Sequence, residues 1–373
     1  MMYLILLFGI FCSVNAQNVG GFCRTPSGES AKCINIYQCN SILVLLRLPS
    51  RTSDQVQFLR DSQCGSGANG APLVCCGSSS ALVKTTLPEE NIPYKANSLI
   101  PDRTSCGIQT NSRIFGGEQT DLDEYPWMAI FQYQNIRGEK KYGCAGSLIN
   151  SRYVLTAGHC VTGPVLTKLG QLVNVRLGEW DTDSPNRDCR EINGKQICND
   201  PEINVGVDEI IPYPRYNPDD NDKSHDIALI RLQRPVQFTK YIFPICLPLP
   251  NEGSVINDSL IVAGWGKTEY GRNSNLKLKL EVPFTDKTSC ASLFRTYNIN
   301  IGNGQICAGG ADGKDSCTGD SGGPLMRTFP NDQFRWYIEG IVSFGMRCGT
   351  EGWPAVYTRV AEYVAWVHRT VRQ

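Results

Sequence analysis

Seventeen cysteines are spread over 373 residues, and their distribution limits the fold more than any other feature. Thiols in such number point to an oxidising compartment. Six of them, Cys23, Cys33, Cys39, Cys64, Cys75 and Cys76, crowd into a segment too short to rely on an apolar core. A disulfide-stapled mini-domain is the expectation. Zinc is the weaker reading, because the segment holds no histidine and no C-x-x-C pair. Spacing alone leaves the pairing open. The apolar run Ile42–Leu48, broken by Arg47, would form this unit's small core.

The N-terminus agrees on compartment. Leu4–Cys12 is apolar but too short to span a bilayer, and Val14-Asn15-Ala16 follows as a small-residue cleavage site. Residues 1–16 are read as a signal peptide, although a basic n-region is missing apart from the amino terminus itself. Its removal takes Cys12 and leaves sixteen cysteines, an even number that can pair completely. No later segment is long enough to cross a membrane, so the chain is expected to be secreted, with no membrane partner. Thirty-six basic residues balance thirty-six acidic ones, and no basic arm argues for nucleic acid.

Three further regions follow the stapled unit, whose bounds are set at 17–77. Residues 78–113 are rich in Ser, Thr and Pro without strand or helix period, and are read as an exposed linker. From 114 to 373 short apolar runs alternate with turn signals: Trp127–Phe131, Ser147–Thr156, Asn174–Leu177, Asp226–Leu232, Leu260–Trp265 and Trp336–Ser343. That pattern predicts an all-β sandwich or barrel, and two barrels suit the length better than one oversized sheet. Val360, Val364, Val367 and Val371 recur at helical spacing, so a helix should close the chain.

The chemistry centres on Gly319-Asp320-Ser321-Gly322-Gly323-Pro324. A serine in so glycine-rich a run can sit where backbone N–H groups converge, as acyl transfer requires. The run also matches a G-x-S-x-G elbow, and a bystander serine in a turn is the bland alternative. A serine hydroxyl needs a base, and the base an orienting acid. Of three histidines, His159 follows an apolar strand in Thr156-Ala157-Gly158-His159-Cys160 and is the candidate base. His225 reads as a surface or packing residue and His368 as solvated. Asp226 leads the apolar run Asp226-Ile227-Ala228-Leu229-Ile230, where a carboxylate must be hydrogen-bonded. The order His159, Asp226, Ser321 excludes an α/β-hydrolase, which would leave too little chain after its serine.

TAGHC, DIALI and GDSGGP in this order resemble the trypsin-chymotrypsin family of serine proteases over residues 114–373. The resemblance implies two six-stranded antiparallel β-barrels and a C-terminal helix. It implies Ser321 as nucleophile, His159 as base, Asp226 as orienting acid, and Gly319 and Ser321 N–H groups as the oxyanion hole. It places Asp315 on the floor of a pocket for substrate Arg or Lys, with Ser343, Gly345 and Ala355 on its walls. Phe344 stands where the family usually has tryptophan. Ala355 stands where it has glycine, and the added methyl predicts Arg over Lys. Arg113-Ile114-Phe115-Gly116-Gly117 resembles an activation site, so a cut after Arg113 would free the Ile114 amine to pair with Asp320. The implied bridges are Cys144–Cys160, Cys290–Cys307, Cys317–Cys348 and Cys106–Cys246, the last tethering the front piece. Cys189 and Cys198 remain for a local bridge.

The front piece resembles the clip domain of arthropod clip-domain serine proteases, which implies the pairs Cys23–Cys75, Cys33–Cys64 and Cys39–Cys76. Such enzymes act in extracellular cascades of body fluid. The implied partners are a proenzyme substrate such as prophenoloxidase, an upstream activating protease, a clip-binding protein and a macromolecular inhibitor such as a serpin. Toll-ligand processing, clotting and a non-catalytic adaptor are the alternatives. Catalysis needs no cofactor. Glu179, Asp181 and Asp188 lie where family members often hold Ca²⁺, with a solvated acidic loop as the rival reading. Asn257-Asp258-Ser259 is a glycosylation sequon.

Overall fold

The computed structural model describes residues 20–373 apart from 27, 40–41, 43–45, 47–52, 68–71, 78–95, 110–117, 186, 193, 251, 257, 268–272, 311–319, 330–331 and 346–349. The chain divides into two compact units, Met1–Pro93 and Tyr94–Gln373. The expected signal peptide, Arg113, Ile114, Asn257, Asp315, Gly319 and the Cys317–Cys348 pair lie outside the described residues.

In the first unit four short antiparallel strands, β1 (Phe22–Arg24), β2 (Ser30–Asn35), β3 (Gln63–Ser66) and β4 (Pro72–Cys76), form a sheet in the order β1-β2-β4-β3. Helix α1 (Ser53–Asp61) lies between β2 and β3 in sequence. Register sets Cys33 opposite Cys75, and the three bridges are Cys23–Cys75, Cys33–Cys64 and Cys39–Cys76. The apolar interior is small: Cys39, Ile42 and Val74, with Ile34, Leu46 and Phe58 packed around them. A core of that size does not hold a fold alone, and the cross-links supply the remainder by restricting the unfolded chain.

The second unit is two closed barrels. The first joins β6 (Met128–Gln134), β7 (Lys140–Leu148), β8 (Tyr153–Thr156), β9 (Gln171–Leu177), β12 (Ile203–Pro212) and β13 (Ala228–Leu232) in the order β12-β13-β8-β7-β6-β9. The second joins β14 (Ser259–Gly264), β15 (Leu278–Thr285), β16 (Gln305–Ala308), β17 (Pro324–Phe329), β18 (Asp332–Phe344) and β19 (Ala355–Arg359). It closes through β14–β15 pairing, and the two-residue β5 (Glu118–Gln119) adds at the edge of β15. Strand residues on the inner faces are fully buried, among them Phe131, Leu155, Val175 and Leu229 in the first barrel and Leu260, Val282, Leu325 and Tyr357 in the second. A hairpin of β10 (Cys189–Ile192) and β11 (Lys195–Cys198) is stapled by Cys189–Cys198. The Cys106–Cys246, Cys144–Cys160 and Cys290–Cys307 bridges are also formed.

Three local expectations change. Ser147–Thr156 is not one strand: Asn150 Oδ1 accepts the N–H groups of Arg152 and Tyr153 at 2.9 and 2.7 Å, an Asx turn that separates β7 from β8. The closing helix is split into a 3-10 turn, Val360–Glu362, and α4 (Val364–Thr370), with Val364 and Val367 buried; α2 (Pro164–Lys168) and α3 (Lys287–Arg295) precede it. The third change concerns the linker, whose described end belongs to the barrels. Asn97 Nδ2 donates to the His368 and Val371 carbonyls, capping the end of α4, and Leu99 and Ile100 pack on the core. His368 is therefore not merely solvated. Its Nδ1 accepts the Asn97 N–H at 2.9 Å, which requires an unprotonated ring nitrogen, and burial holds its pKa below the ordinary value.

Candidate active site

His159 sits in a 3-10 turn, Gly158–Cys160, directly after β8. The turn is fixed on both sides. Cys160 is bridged to Cys144 on β7, and Gly158 lies so close to the Tyr216 ring that a Cβ there would fall 2.7 Å from it. Asp226 occupies the corner before β13. His225 adopts a positive φ of 62° and its carbonyl accepts the Ile227 N–H, which turns the chain sharply and points the intervening carboxylate inward. His225 itself stacks on Tyr213, and its Nδ1 lies 3.0 Å from the Tyr363 hydroxyl, so it packs the corner as expected.

The carboxylate of Asp226 is inaccessible to solvent and fully engaged. Oδ2 lies 2.7 Å from His159 Nδ1 and accepts the Ser343 hydroxyl at 2.5 Å, while Oδ1 accepts the His159 backbone N–H at 2.8 Å. Thr358 Oγ1 donates to its carbonyl at 2.7 Å. Burial opposes the charge, but the imidazole, the Ser343 hydroxyl and the backbone N–H outweigh it and hold the acid below its ordinary value. An ionised carboxylate only accepts, so His159 Nδ1 must carry the proton and Nε2 the free lone pair. Burial disfavours the imidazolium; Asp226's charge and hydrogen bond more than offset it, and the His159 pKa is raised. The ring is 26% exposed, open enough to meet a substrate.

The nucleophile turn is stitched to both barrels. Ser321's carbonyl accepts the Ala145 N–H from β7 at 2.8 Å, and Gly322 N–H donates to Val342 on β18 at 2.9 Å. Gly322 has φ +79°, and a Cβ there would lie 2.3 Å from Thr156 Oγ1 and 3.0 Å from Cys160 Sγ. Only glycine fits, and the close approach sets Ser321 beside the turn that carries His159. Asp320 turns the other way: its Oδ1 accepts the Gly266 N–H at 2.9 Å, and Gly264 and Gly266 leave room for it by lacking side chains.

Of the pocket residues, Ala355 is 2% exposed, and its Cβ would meet a Cβ built at Gly345 at 3.8 Å. The two positions face each other. Ser343 does more than line a wall, since its hydroxyl is committed to Asp226. The motif Ser343-Phe344-Gly345 carried no sign of that bond, which depends on β18 passing the corner of another barrel.

The acidic loop does not form an oxygen cage. Glu179 Oε2 pairs with Arg176 Nη1 at 2.8 Å, and Oε1 accepts the Trp180 N–H. Asp188 Oδ2 accepts the Trp180 N–H, the Asp181 N–H and Asn199 Nδ2, although its Oδ1 is buried without a hydrogen-bond partner. Asp181 Oδ1 accepts the Asp183 N–H. Among the described residues no three carboxylates converge; the one cluster with metal-ligand proximity is Cys144, His159 and Cys160, whose cysteines are bridged. Arg176 is the cation beside Glu179, and protein donors engage these carboxylates apart from Asp188 Oδ1.

Residues 114–367 match the sequence profile of the trypsin family, and residues 23–76 that of the regulatory CLIP domain of proteinases. The chain belongs to the clip-domain serine proteases of the trypsin family. It is 45% identical to phenoloxidase-activating factor 1 of Holotrichia diomphalia, covering 94% of this chain and 93% of the relative. Phenoloxidase-activating factor 3 of the same insect is 42% identical over 99% of both chains. Among solved structures, the Drosophila Grass clip serine protease of the Toll pathway superposes with TM-score 0.60 at 32% identity, covering 95% of this chain and 98% of that one. The protein is a serine endopeptidase of this family.

Proposed function

We propose that the protein is a secreted zymogen which, once cut after Arg113, cleaves a protein substrate after Arg within an extracellular proteolytic cascade. The observation that carries this reading is the buried Asp226 fixing the tautomer of a half-open His159 beside the Ser321 turn. His159 Nε2 takes the proton of Ser321 as its oxygen attacks the scissile carbonyl. The same proton then passes to the leaving amine, while Asp226 stabilises the imidazolium. The N–H groups of Gly319 and Ser321 meet the developing oxyanion, and Asp315 pairs with the substrate guanidinium.

The Ile114 amine, freed by the cut, pairs with Asp320. A buried ion pair forms only when both partners are in place, so the pocket orders after cleavage and not before. Cys106–Cys246 keeps the clip unit attached. The relatives' names support a proenzyme of the phenoloxidase kind as substrate. The Grass structure favours a second reading, action on the Toll branch. No helix among the described residues is long and apolar enough to cross a membrane.

The test is hydrolysis of an Arg-anilide before and after a controlled cut at Arg113, verified by N-terminal sequencing. Activity that appears only with the new Ile114 terminus supports the reading. A clean cut with no turnover of Arg or Lys substrates overturns it in favour of an adaptor role.

A further inference from the structure

The hairpin joining β6 to β7 is built as a rigid display. Asn135 Oδ1 accepts the N–H groups of Arg137 and Glu139, and its Nδ2 donates to the Glu139 carboxylate. Backbone bonds link Asn135 N–H to Glu139 O and Gly138 N–H to Asn135 O, and Gln134 Nε2 closes on the Gly138 carbonyl. Six hydrogen bonds thus span the tip. What this ordered turn presents is Ile136, 105% exposed, the most exposed large apolar side chain among the described residues. Single exposed apolar residues are common on protein surfaces. This one is unusual in being held on a turn whose entropy is already spent.

Its surroundings are basic. Arg137, Lys140 and Lys141 on the hairpin are exposed, as is Lys168 on α2, and among the described residues none of the four makes an ion pair. Glu139, the one acid at the tip, is hydrogen-bonded to Asn135, and the four cations outweigh its single charge.

The location decides what could reach it. β7 runs from this tip to Ala145, whose N–H binds the Ser321 carbonyl. Four residues of strand put Lys141 about 13 Å from Ala145. Lys168 ends the short helix that follows the His159 turn. His159 hands its proton to the departing amine, so the leaving half of a substrate lies on this barrel's side of the cleft.

We propose that the 135–141 hairpin is a docking surface for the leaving-side segment of the protein substrate, and that this segment is acidic with an apolar side chain to meet Ile136. The proposal rests on the protease reading and deepens it: the bond cut is chosen by Arg on one side, and the protein cut is chosen partly by charge several residues beyond the bond.

The test uses the full protein cut at Arg113 and two internally quenched peptides. They share the same residues up to Arg; beyond the bond one carries Glu, Asp and Leu several residues out, and the other Gly and Ser. The wild type is expected to favour the acidic peptide in kcat/KM by roughly fivefold to tenfold, the size that a few exposed pairs provide. The preference should shrink as salt rises. In R137E/K140E/K141E the ratio should fall to one or invert, and in the milder R137Q/K140Q/K141Q and I136S variants it should fall part-way. Each ratio is taken within one protein, so a change in active fraction cancels. A wild-type ratio near one, or a ratio that the charge variants leave intact, overturns the proposal. Loss of Arg-anilide turnover by the wild type would instead strike the protease reading beneath it.

Discussion

Two carboxylates in this molecule are buried to nearly the same degree, yet their pKa values are shifted in opposite directions. Asp226 lies below its ordinary pKa and Glu179 above it. Burial is the largest influence on both and pushes both up. Asp226 overcomes it because His159, Ser343 and a backbone N–H all point at its oxygens. Glu179 has Arg176 and one N–H, but the neighbouring charge of Asp188 works against it. The first site keeps a charge where chemistry needs one. The second holds a loop together. Burial of an acid is therefore no sign of catalysis by itself; an imidazole partner that is open to substrate is.

This contrast can be broken by substitution. Asp226→Asn should lower kcat on an Arg-anilide by about 10⁴-fold, a size taken over from trypsin itself, because the amide no longer fixes the proton on His159 Nδ1. An Arg176→Met variant with a comparable loss would erase the distinction. Ser343→Ala removes one donor to Asp226 and should lower kcat roughly tenfold to a hundredfold, the range for hydrogen bonds to charged groups. A decrease in kcat/KM arising from KM alone would return Ser343 to the role of pocket wall.

The pH dependence sharpens the same point. Activity requires neutral His159, so it should rise with pH through a midpoint above the ordinary imidazole value. In Asp226→Asn the burial remains and the opposing charge is gone, so the midpoint of the residual activity should move down. The folded Asp226 pKa is depressed, so its contribution to stability is complete above the ordinary carboxylate value and is lost as pH falls through the depressed one. A midpoint that does not move in the variant would contradict the coupling.

The smallest effect on activity is expected at the loop. Arg176→Met leaves Glu179 buried without its cation and should cost about 3 kcal/mol in denaturant unfolding, with kcat nearly unchanged. Adding a chelator to the wild type should alter neither quantity. A chelator-induced loss of stability would instead support a calcium ion held by Glu179 and Asp188.

Local chemistry was legible in the sequence where a short motif carries its own geometry. TAGHC, DIALI and GDSGGP named His159, Asp226 and Ser321, and the glycine at 322 proved to be demanded by the packing of Thr156 and Ala145 against it. The all-β architecture followed from strand-length apolar runs. What stayed hidden depends on contacts between distant segments. Nothing near Ser343 announces a bond to Asp226, 117 residues away. The Asn97 cap on the final helix has no signal in residues 78–113, which lack any period, yet one side chain and two apolar neighbours suffice to dock the end of that segment. Arg176 gives no signal of its own, because strand alternation says nothing of a partner around the corner in the next loop.

The central claim is that Ser321 becomes a nucleophile through His159 and Asp226. It is tested most directly by reacting the protein with a fluorescent organophosphate before and after the cut at Arg113, and locating the label by mass spectrometry. The account predicts stoichiometric labelling at Ser321 after the cut, little before it, and none in a His159→Ala variant. Labelling elsewhere, or equal labelling of the uncut protein and the His159→Ala variant, would contradict it.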